Sequence, residues 1–142
     1  MTTTCEIVSQ DRMVYKGEAD IVILPGMSGQ MGILPHHSPV LTALNYGIIT
    51  VRTNKEELHF TVAGGVAEVL PDKVTVLADA AENVEEIDIE RAVKARERAE
   101  ERLKLTLATD TDRYMRITSA LKRSNLRLQA AQKYRKNVKT KI

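Results

Sequence analysis

The hydrophobic residues of this chain change their spacing once, near residue 84, and this change constrains the fold more than any other feature. Before that point short apolar runs recur between turn residues, and several alternate with polar residues as half-buried strands do. After it, apolar and small residues recur every three or four positions, as in amphipathic helices. The sequence therefore predicts an α+β protein: a β-sandwich of about ten short strands in residues 1–84, then an antiparallel two-helix hairpin in residues 85–142.

The charged residues follow the same division of the chain. Residues 1–81 carry five bases against nine acids, residues 82–112 carry six bases against ten acids, and residues 113–142 carry ten bases and no acid. A small β domain would thus carry a helical arm whose last part is strongly cationic. We expect this part to contact something acidic.

Composition and motifs argue against several classes of protein. No run of about 18 apolar residues occurs, and the N-terminus lacks a basic region followed by an apolar core, so we expect a chain that is neither membrane-spanning nor secreted. Cys5 is the single cysteine, which fits a reducing compartment. His36 and His37 lack the further ligands of a zinc site, and no catalytic constellation is evident, so we expect neither a metal site nor an enzyme.

Residues 25–35 interrupt the strand pattern with glycines, prolines and two methionines. The segment is predicted to be a loop, and it is too apolar for an ordinary solvated one. One interpretation is an adaptable contact surface, because methionine re-packs readily against a partner. The other is a loop folded back on its own core. The glycine spacing does not indicate a phosphate-binding loop, because neither Lys-Ser nor Lys-Thr follows Gly32.

The helical part is predicted to be a first helix over about 88–105, a turn over about 106–111 and a second helix over about 112–135. Asp88 suits the N-cap of the first helix, and Ile87 could pack against the first turn as a hydrophobic staple. Each helix has one thin apolar stripe, so the hairpin is either weakly held or simply static. The stripes are Ile89, Ala92, Val93, Arg96, Ala99 and Leu103, and then Tyr114, Ile117, Leu121, Ser124, Leu128 and Ala131.

Antiparallel pairing brings three arginines together. If the turn centres near residue 108, Arg91 faces residues 125–127 and clusters with Arg123 and Arg127, while Arg98 lies off the cluster. Three guanidinium groups repel one another unless an anion joins them, which indicates an anionic ligand such as a phosphate ester. The alternative interpretation is that the three arginines point into water.

Several stretches along the chain match a known family. They are Leu24-Pro25-Gly26, Gly32-Ile33-Leu34-Pro35, His37-Ser38-Pro39, Phe60-Thr61-Val62-Ala63-Gly64-Gly65, Val74-Thr75-Val76-Leu77-Ala78-Asp79, and Ile87-Asp88 with Arg91-Ala92. In these stretches the sequence resembles the epsilon subunits of F-type ATP synthases, over essentially its whole length. The resemblance implies a non-catalytic rotor subunit at the foot of the central stalk, on the cytoplasmic face of a bacterial membrane, with membrane association only through the complex.

For the β domain, the resemblance implies two partners. The loop containing Met27, Gln30 and Met31 would rest on the c-ring, and the segment containing His37 and Ser38 would face the gamma subunit. Many relatives carry an acidic residue near Gln30, so this chain departs from the family there.

For the hairpin, the resemblance implies a regulatory role. In an extended form it would contact the alpha and beta subunits and inhibit ATP hydrolysis through a basic face of Lys122, Arg123, Arg127 and Lys133. Some relatives bind ATP on the folded hairpin, through a motif that here corresponds to Asp88, Arg91 and Ala92 with Arg123 and Arg127. No cofactor is required, and regulatory ATP is the one ligand that the resemblance suggests.

Without the family resemblance, the residue pattern is compatible with a different function. The basic second helix could belong to a small nucleic-acid-binding module. It lacks interleaved aromatic residues and any base-reading motif, so we expect no nucleic-acid partner.

Overall fold

The computed structural model describes residues 1–10, 12–107 and 109–135. Residues 136–142 of the predicted helical domain, and Ala108 at the centre of the predicted turn, therefore lie outside the described residues. The chain forms two compact units, of which the first spans Met1–Asn83 and the second begins at Val84. No helix among the described residues is both long and apolar enough to cross a membrane.

The first unit is a β-sandwich made from one connected sheet, with the strand order β2-β1-β7-β6-β5-β3-β4 and β8 added alongside β6. All neighbouring strands are antiparallel except β1 and β7, which run parallel. The strands are β1 (Thr3–Ser9), β2 (Arg12–Ala19), β3 (Ile21–Gly26), β4 (Gly29–Ile33), β5 (Val40–Arg52), β6 (Glu57–Leu70), β7 (Lys73–Ala78) and β8 (Ala81–Asn83).

The described residues form eight strands rather than about ten, because two pairs of predicted strands are continuous. β5 runs through Gly47, and β6 runs through Gly64 and Gly65, whose φ angles of 87° and 127° bend the strand without ending it. The first half of β6 pairs with β8 and its second half with β7. A long bent strand can thus pair with strands in both layers of a sandwich.

The core of this unit consists of alternate residues along the strands, as period-two patterning predicts. Phe60 is fully buried at its centre, and its ring lies 5.2 Å from the ring of Tyr15. Cys5 is also fully buried, and this burial raises the pKa of its thiol to about 12. The thiol is therefore protonated and shielded at neutral pH.

The segment predicted as a loop at residues 25–35 is mainly a β-hairpin. β3 and β4 pair from Val22 with Ile33 to Gly26 with Gly29, leaving the two-residue turn Met27-Ser28 between them. Gly29 has a φ angle of 133°, which only glycine adopts readily. Gly26 and Gly29 therefore flank a tight turn, and Met31 and Gly32 belong to a paired strand.

The second unit contains the two helices, after a 3-10 turn at Val84–Glu86. α1 spans Ile89–Leu105 and α2 spans Thr111–Tyr134. Asp88 caps α1, as predicted: its Oδ1 accepts a hydrogen bond from the Arg91 backbone N–H at 3.0 Å. Asp110 caps α2 in the same way, accepting from the Arg113 backbone N–H at 3.3 Å.

The buried sides of the helices are narrow, as the thin stripes predicted, and alanine is their commonest residue. Ala92 and Ala99 are buried on α1, and Ile117, Ser124, Leu128, Ala130 and Ala131 on α2. Tyr114 is the exception in the second stripe, being 41% exposed. Arg135, at the end of α2, donates from Nη1 to the Ile87 backbone carbonyl at 2.7 Å. This hydrogen bond joins the end of α2 to the residue just before the cap of α1.

Candidate functional site

Two of the three residues predicted for the tip of the β3–β4 hairpin are available to a partner. Met27 is 61% exposed, and its backbone N–H donates to the Ala43 carbonyl at 3.1 Å, which fixes the tip to β5. Gln30 is also exposed. Met31 instead lies half-buried opposite Leu24 and packs against the hydrophobic core. The alternation of β4 turns Met31 and Ile33 to the same, inward side.

The segment between β4 and β5 is held beside the β6–β7 turn. The His36 backbone N–H donates to the Pro71 carbonyl at 2.7 Å, and His36 itself has a φ angle of 66°. His37 is half-buried and donates from Nδ1 to the Ser38 carbonyl at 2.7 Å, while Ser38 is exposed. No group of metal-ligating side chains forms at these histidines or elsewhere in the part of the chain that the structure describes.

An apolar row, which sequence reasoning missed, crosses the outer face of the sandwich. Cross-strand pairing aligns one residue from each of five strands, in the order Ala43, Val66, Leu77, Val8 and Met13. Val66 is 38% exposed, Met13 51% and Leu77 55%. An exposed apolar group that spans a sheet in this way is typical of a protein–protein contact. Strand alternation could have suggested its members, but the parallel pairing of β1 with β7 could not be read from the sequence.

Charged residues border the apolar row on the same face. Glu6 forms ion pairs with Lys73 at 3.2 Å and Lys16 at 3.5 Å. The hydrogen bond from Lys73 is the main cause of a lowered pKa for the Glu6 carboxyl, so the carboxylate stays ionised. An apolar centre beside a polar border is the usual organisation of a protein interface.

Seven arginines of the second unit form two columns, three on α1 and four on α2. Arg91, Arg98 and Arg102 are separated by seven and four residues on α1, which places them along one line of the helix. On α2 the spacing of Arg113, Arg116, Arg123 and Arg127 gives a second column within a narrow arc. Three acids of α1, namely Glu97, Glu100 and Glu101, line a separate depression with Lys104 and Leu105.

The residues predicted for ATP differ in what they can offer a ligand. The Asp88 carboxylate is used as a helix cap. Arg91 and Arg123 are exposed and Arg127 is half-buried. Ala92 is fully buried, so it supports the packing of α1 rather than contacting a ligand with its side chain.

The predicted basic face of α2 consists of two neighbouring lines rather than one. Arg123 and Arg127 are four residues apart and share a line, and Lys122 and Lys133 are eleven apart and share another. Lys122 and Lys133 are exposed, and the Lys133 ammonium lies 5.2 Å from the centre of the Tyr134 ring. A partner could contact either line without covering the other.

The two columns meet at a cleft of about 590 Å³ between α1 and α2. Ala99 and Arg102 of α1 line it together with Arg113 and Ile117 of α2, which agrees with the predicted antiparallel pairing. Arg98, predicted to lie off the arginine cluster, belongs to this cleft.

Comparison with known proteins agrees with this two-part architecture. Residues 2–84 match the beta-sandwich domain of the ATP synthase delta/epsilon chain family, and residues 85–132 match its long alpha-helix domain. A fold of this kind, a β-sandwich followed by a helical hairpin, was also the fold predicted from the sequence. The chain therefore belongs to the ATP synthase delta/epsilon chain family.

Individual relatives align over nearly the whole chain. The ATP synthase epsilon chain of Dehalococcoides mccartyi is 43% identical over 138 residues, covering 93% of this chain and 94% of the relative. That of Synechococcus elongatus is 45% identical over 131 residues, covering 92% of this chain and 96% of the relative. The relatives thus match the sandwich and the helices together.

Among solved structures, the fold is similar to a chain in a cryo-EM structure of the Euglena gracilis mitochondrial ATP synthase containing OSCP, F1 and the c-ring. The TM-score is 0.74 at 24% identity, covering 92% of this chain and 81% of that one. A chain in the Tetrahymena thermophila central stalk and c-ring structure gives a TM-score of 0.55 at 11% identity, covering 92% and 97%. At these identities the similarity concerns the fold.

Proposed function

We propose that this chain is a non-catalytic rotor subunit of a proton-translocating F-type ATP synthase, which binds through its β unit and regulates ATP hydrolysis through its hairpin. The observation that carries the proposal is the match of both units to one family, together with relatives named as ATP synthase epsilon chains over more than nine-tenths of this chain. The protein would sit peripherally on the cytoplasmic face of a bacterial membrane, attached through the complex.

For the β unit, we assign the apolar row and the segment of His37 and Ser38 to the gamma subunit. The c-ring would contact the β3–β4 tip at Met27 and Gln30. The row offers gamma an apolar strip with a charged border, and the tip offers the ring a small, firmly anchored projection.

A pair of matched variants tests the contact with gamma. Val66→Asp places a charge in the row, whereas Leu70→Asp places it on the same strand outside the row, at nearly equal exposure (38% and 37%). We expect Val66→Asp to reduce co-purification with gamma and Leu70→Asp to retain it, because a charge buried in an apolar contact loses its hydration without gaining a partner. Equal losses in two folded variants would show that the row does not mark the contact.

For the hairpin, we propose an exchange between a compact form and an extended form that engages the alpha and beta subunits. Thin, alanine-rich facing sides make the compact form weakly held, so the two forms need differ little in free energy. The cationic second helix would contact acidic segments in the extended form and restrain ATP hydrolysis.

Charge reversal tests this regulation. Replacing Lys122, Arg123 and Arg127 by glutamate should raise ATP hydrolysis by the assembled enzyme, and the difference from wild type should shrink with added salt, because charge contacts are screened. Persistent, salt-independent inhibition by the reversed protein would contradict a charge-based contact.

We further propose that ATP favours the compact form. Its phosphates would bridge Arg91 on α1 to Arg123 and Arg127 on α2, and extension would separate these groups. A ligand that binds one form better shifts the equilibrium towards that form. Asp88 would keep its role as a cap and position Arg91, since its carboxylate already accepts the Arg91 backbone N–H.

A further inference from the structure

A narrow groove of about 320 Å³ lies on the surface of α2 itself. Its four lining residues are Met115, Arg116, Ser119 and Arg123, so it holds one hydroxyl group and two guanidinium groups. Arg116 precedes Ser119 by three residues and Arg123 follows it by four, and residues at these spacings are neighbours on a helix surface. The Ser119 hydroxyl therefore lies between two arginine side chains.

This hydroxyl differs from the two hydroxyls nearest to it on α2. Thr118 Oγ1 donates to the Met115 carbonyl at 3.0 Å, and Ser124 Oγ donates to the Ala120 carbonyl at 3.0 Å. The Ser119 side chain makes no hydrogen bond to any residue that the structure describes, and it is half-buried at the groove. A hydroxyl without an internal hydrogen bond loses none when it reacts.

The two arginines beside Ser119 lack a counter-charge. Arg116 and Arg123 are exposed, and neither forms an ion pair within residues 1–10, 12–107 and 109–135. The helix around them cannot supply one, because residues 113–135 contain no acid. A dianionic group attached to Ser119 would gain two charge-assisted partners and displace none.

We propose that Ser119 is a phosphorylation site for a serine kinase with an acidic substrate groove. Such a kinase would be attracted by Arg113 and Arg116, six and three residues before the acceptor. In the reaction Ser119 Oγ bonds to the γ-phosphorus of MgATP, and the bond from that phosphorus to the β,γ-bridging oxygen breaks. ADP leaves, and the hydroxyl proton passes to a base of the kinase.

The start of α2 can open locally to reach a kinase. Residues 111–116 are all exposed, and Ile117 is the first buried residue of α2. Opening the helix as far as Ser119 therefore unpacks one buried side chain, and a segment that buries so little opens without global unfolding.

Phosphorylation would change the charge of the basic face of α2. A phosphoserine carries about two negative charges and would pair with Arg116 and Arg123 along the helix. Arg123 belongs to the face proposed to contact the alpha and beta subunits, so this consequence rests on the proposed function. With Arg123 occupied, that contact would weaken and ATP hydrolysis by the assembled enzyme would rise.

The acceptor is tested by incubating the full chain with MgATP and the catalytic subunit of cyclic-AMP-dependent protein kinase, which prefers basic substrates. Mass spectrometry should locate phosphate on Ser119, and Ser119→Ala should lose it. Arg116→Gln should slow the reaction about tenfold or more, as expected for a lost charged hydrogen bond. Arg98→Gln, which removes an exposed arginine from α1, is the control. No phosphate on Ser119, or equal slowing in Arg98→Gln and Arg116→Gln, would overturn the proposal.

A second measurement tests the arginine pairing without a kinase. The full chain would be made with phosphoserine in place of Ser119 and titrated by phosphorus-31 NMR. Two paired arginines should lower the second pKa of the phosphate from about 6 by about 0.5 or more. Replacing Arg116 and Arg123 by Gln should restore it, at a helix content equal to that of the parent. An identical pKa in both folded proteins would show that the groove does not hold the phosphate.

Assembly of the phosphorylated chain with the other subunits then tests the regulatory consequence. Raised ATP hydrolysis, with a difference that shrinks at high salt, would support it. Unchanged hydrolysis beside a lowered phosphate pKa would contradict the charge-based contact proposed for α2 while supporting the site, so the two proposals fail separately.

Discussion

The hydrogen bond from Arg135 to the Ile87 carbonyl should hold the compact hairpin closed. It joins the last turn of α2 to the residue before the cap of α1, so it must break when the helices separate. A buried charged hydrogen bond contributes about 1.5–3 kcal/mol; because Arg135 is only half-buried, we expect about 1–1.5 kcal/mol here. Arg135→Met keeps an apolar stem and removes the bond. The open fraction should therefore rise about five- to thirteenfold.

Energy transfer between dyes on cysteines introduced at Lys94 and Gln132, both exposed, would measure this opening. The native Cys5 should not compete for the dyes at neutral pH, since it is buried and its pKa is raised to about 12. Arg96→Met is the control, because its ion pair with Glu100 lies within α1 and does not bridge the helices. In the assembled enzyme, Arg135→Met should strengthen inhibition of ATP hydrolysis. An unchanged open fraction in Arg135→Met, or an equal rise in the control, would show that this hydrogen bond does not hold the hairpin closed.

Three further predictions concern other parts of the molecule. Arg91→Ala and Arg127→Ala should each weaken MgATP binding by about 1.5–3 kcal/mol in calorimetric titration, and Arg96→Ala should not. Met31→Asp should destabilise the β unit by about 2–5 kcal/mol in denaturant unfolding, whereas Met27→Asp should retain stability and reduce coupled proton pumping. Cys5 should lower stability between pH 9.0 and about 12, because its thiol ionises first in the unfolded chain; Cys5→Ala should reduce this alkaline loss, and an identical pH profile would contradict it.

The local features of the fold could be predicted from the sequence, because each depends on residues close together in the chain. Asp88 precedes a helical pattern and caps α1 through the backbone of Arg91, three residues on. Period-two and period-three-to-four patterns likewise separated strands from helices. Eight strands form rather than about ten because β5 continues through Gly47 and β6 bends at Gly64 and Gly65 without ending, an outcome set by the pairing of neighbouring strands.

The features that the sequence could not supply depend on distant partners. Met31 turns inward because β4 pairs with β3, so its flexible side chain packs half-buried against the core rather than lying in an irregular loop. The apolar row exists only once β1 lies parallel to β7 and brings Val8 beside Leu77. Arg98 joins a cleft because Ala99 and Ala120 leave space between the helices, and helix spacing alone does not reveal such a space.

The β5–β6 ladder has a mechanical consequence for the β unit. Its register is constant from Val40 opposite Val69 to Arg52 opposite Glu57. The two longest strands therefore resist sliding past each other. Ala43 connects this ladder both to the β3–β4 tip, through its bond to Met27, and to the row, through its pairing with Val66. A sideways force on the β3–β4 tip would therefore be transmitted to the apolar row through backbone hydrogen bonds rather than through side-chain packing.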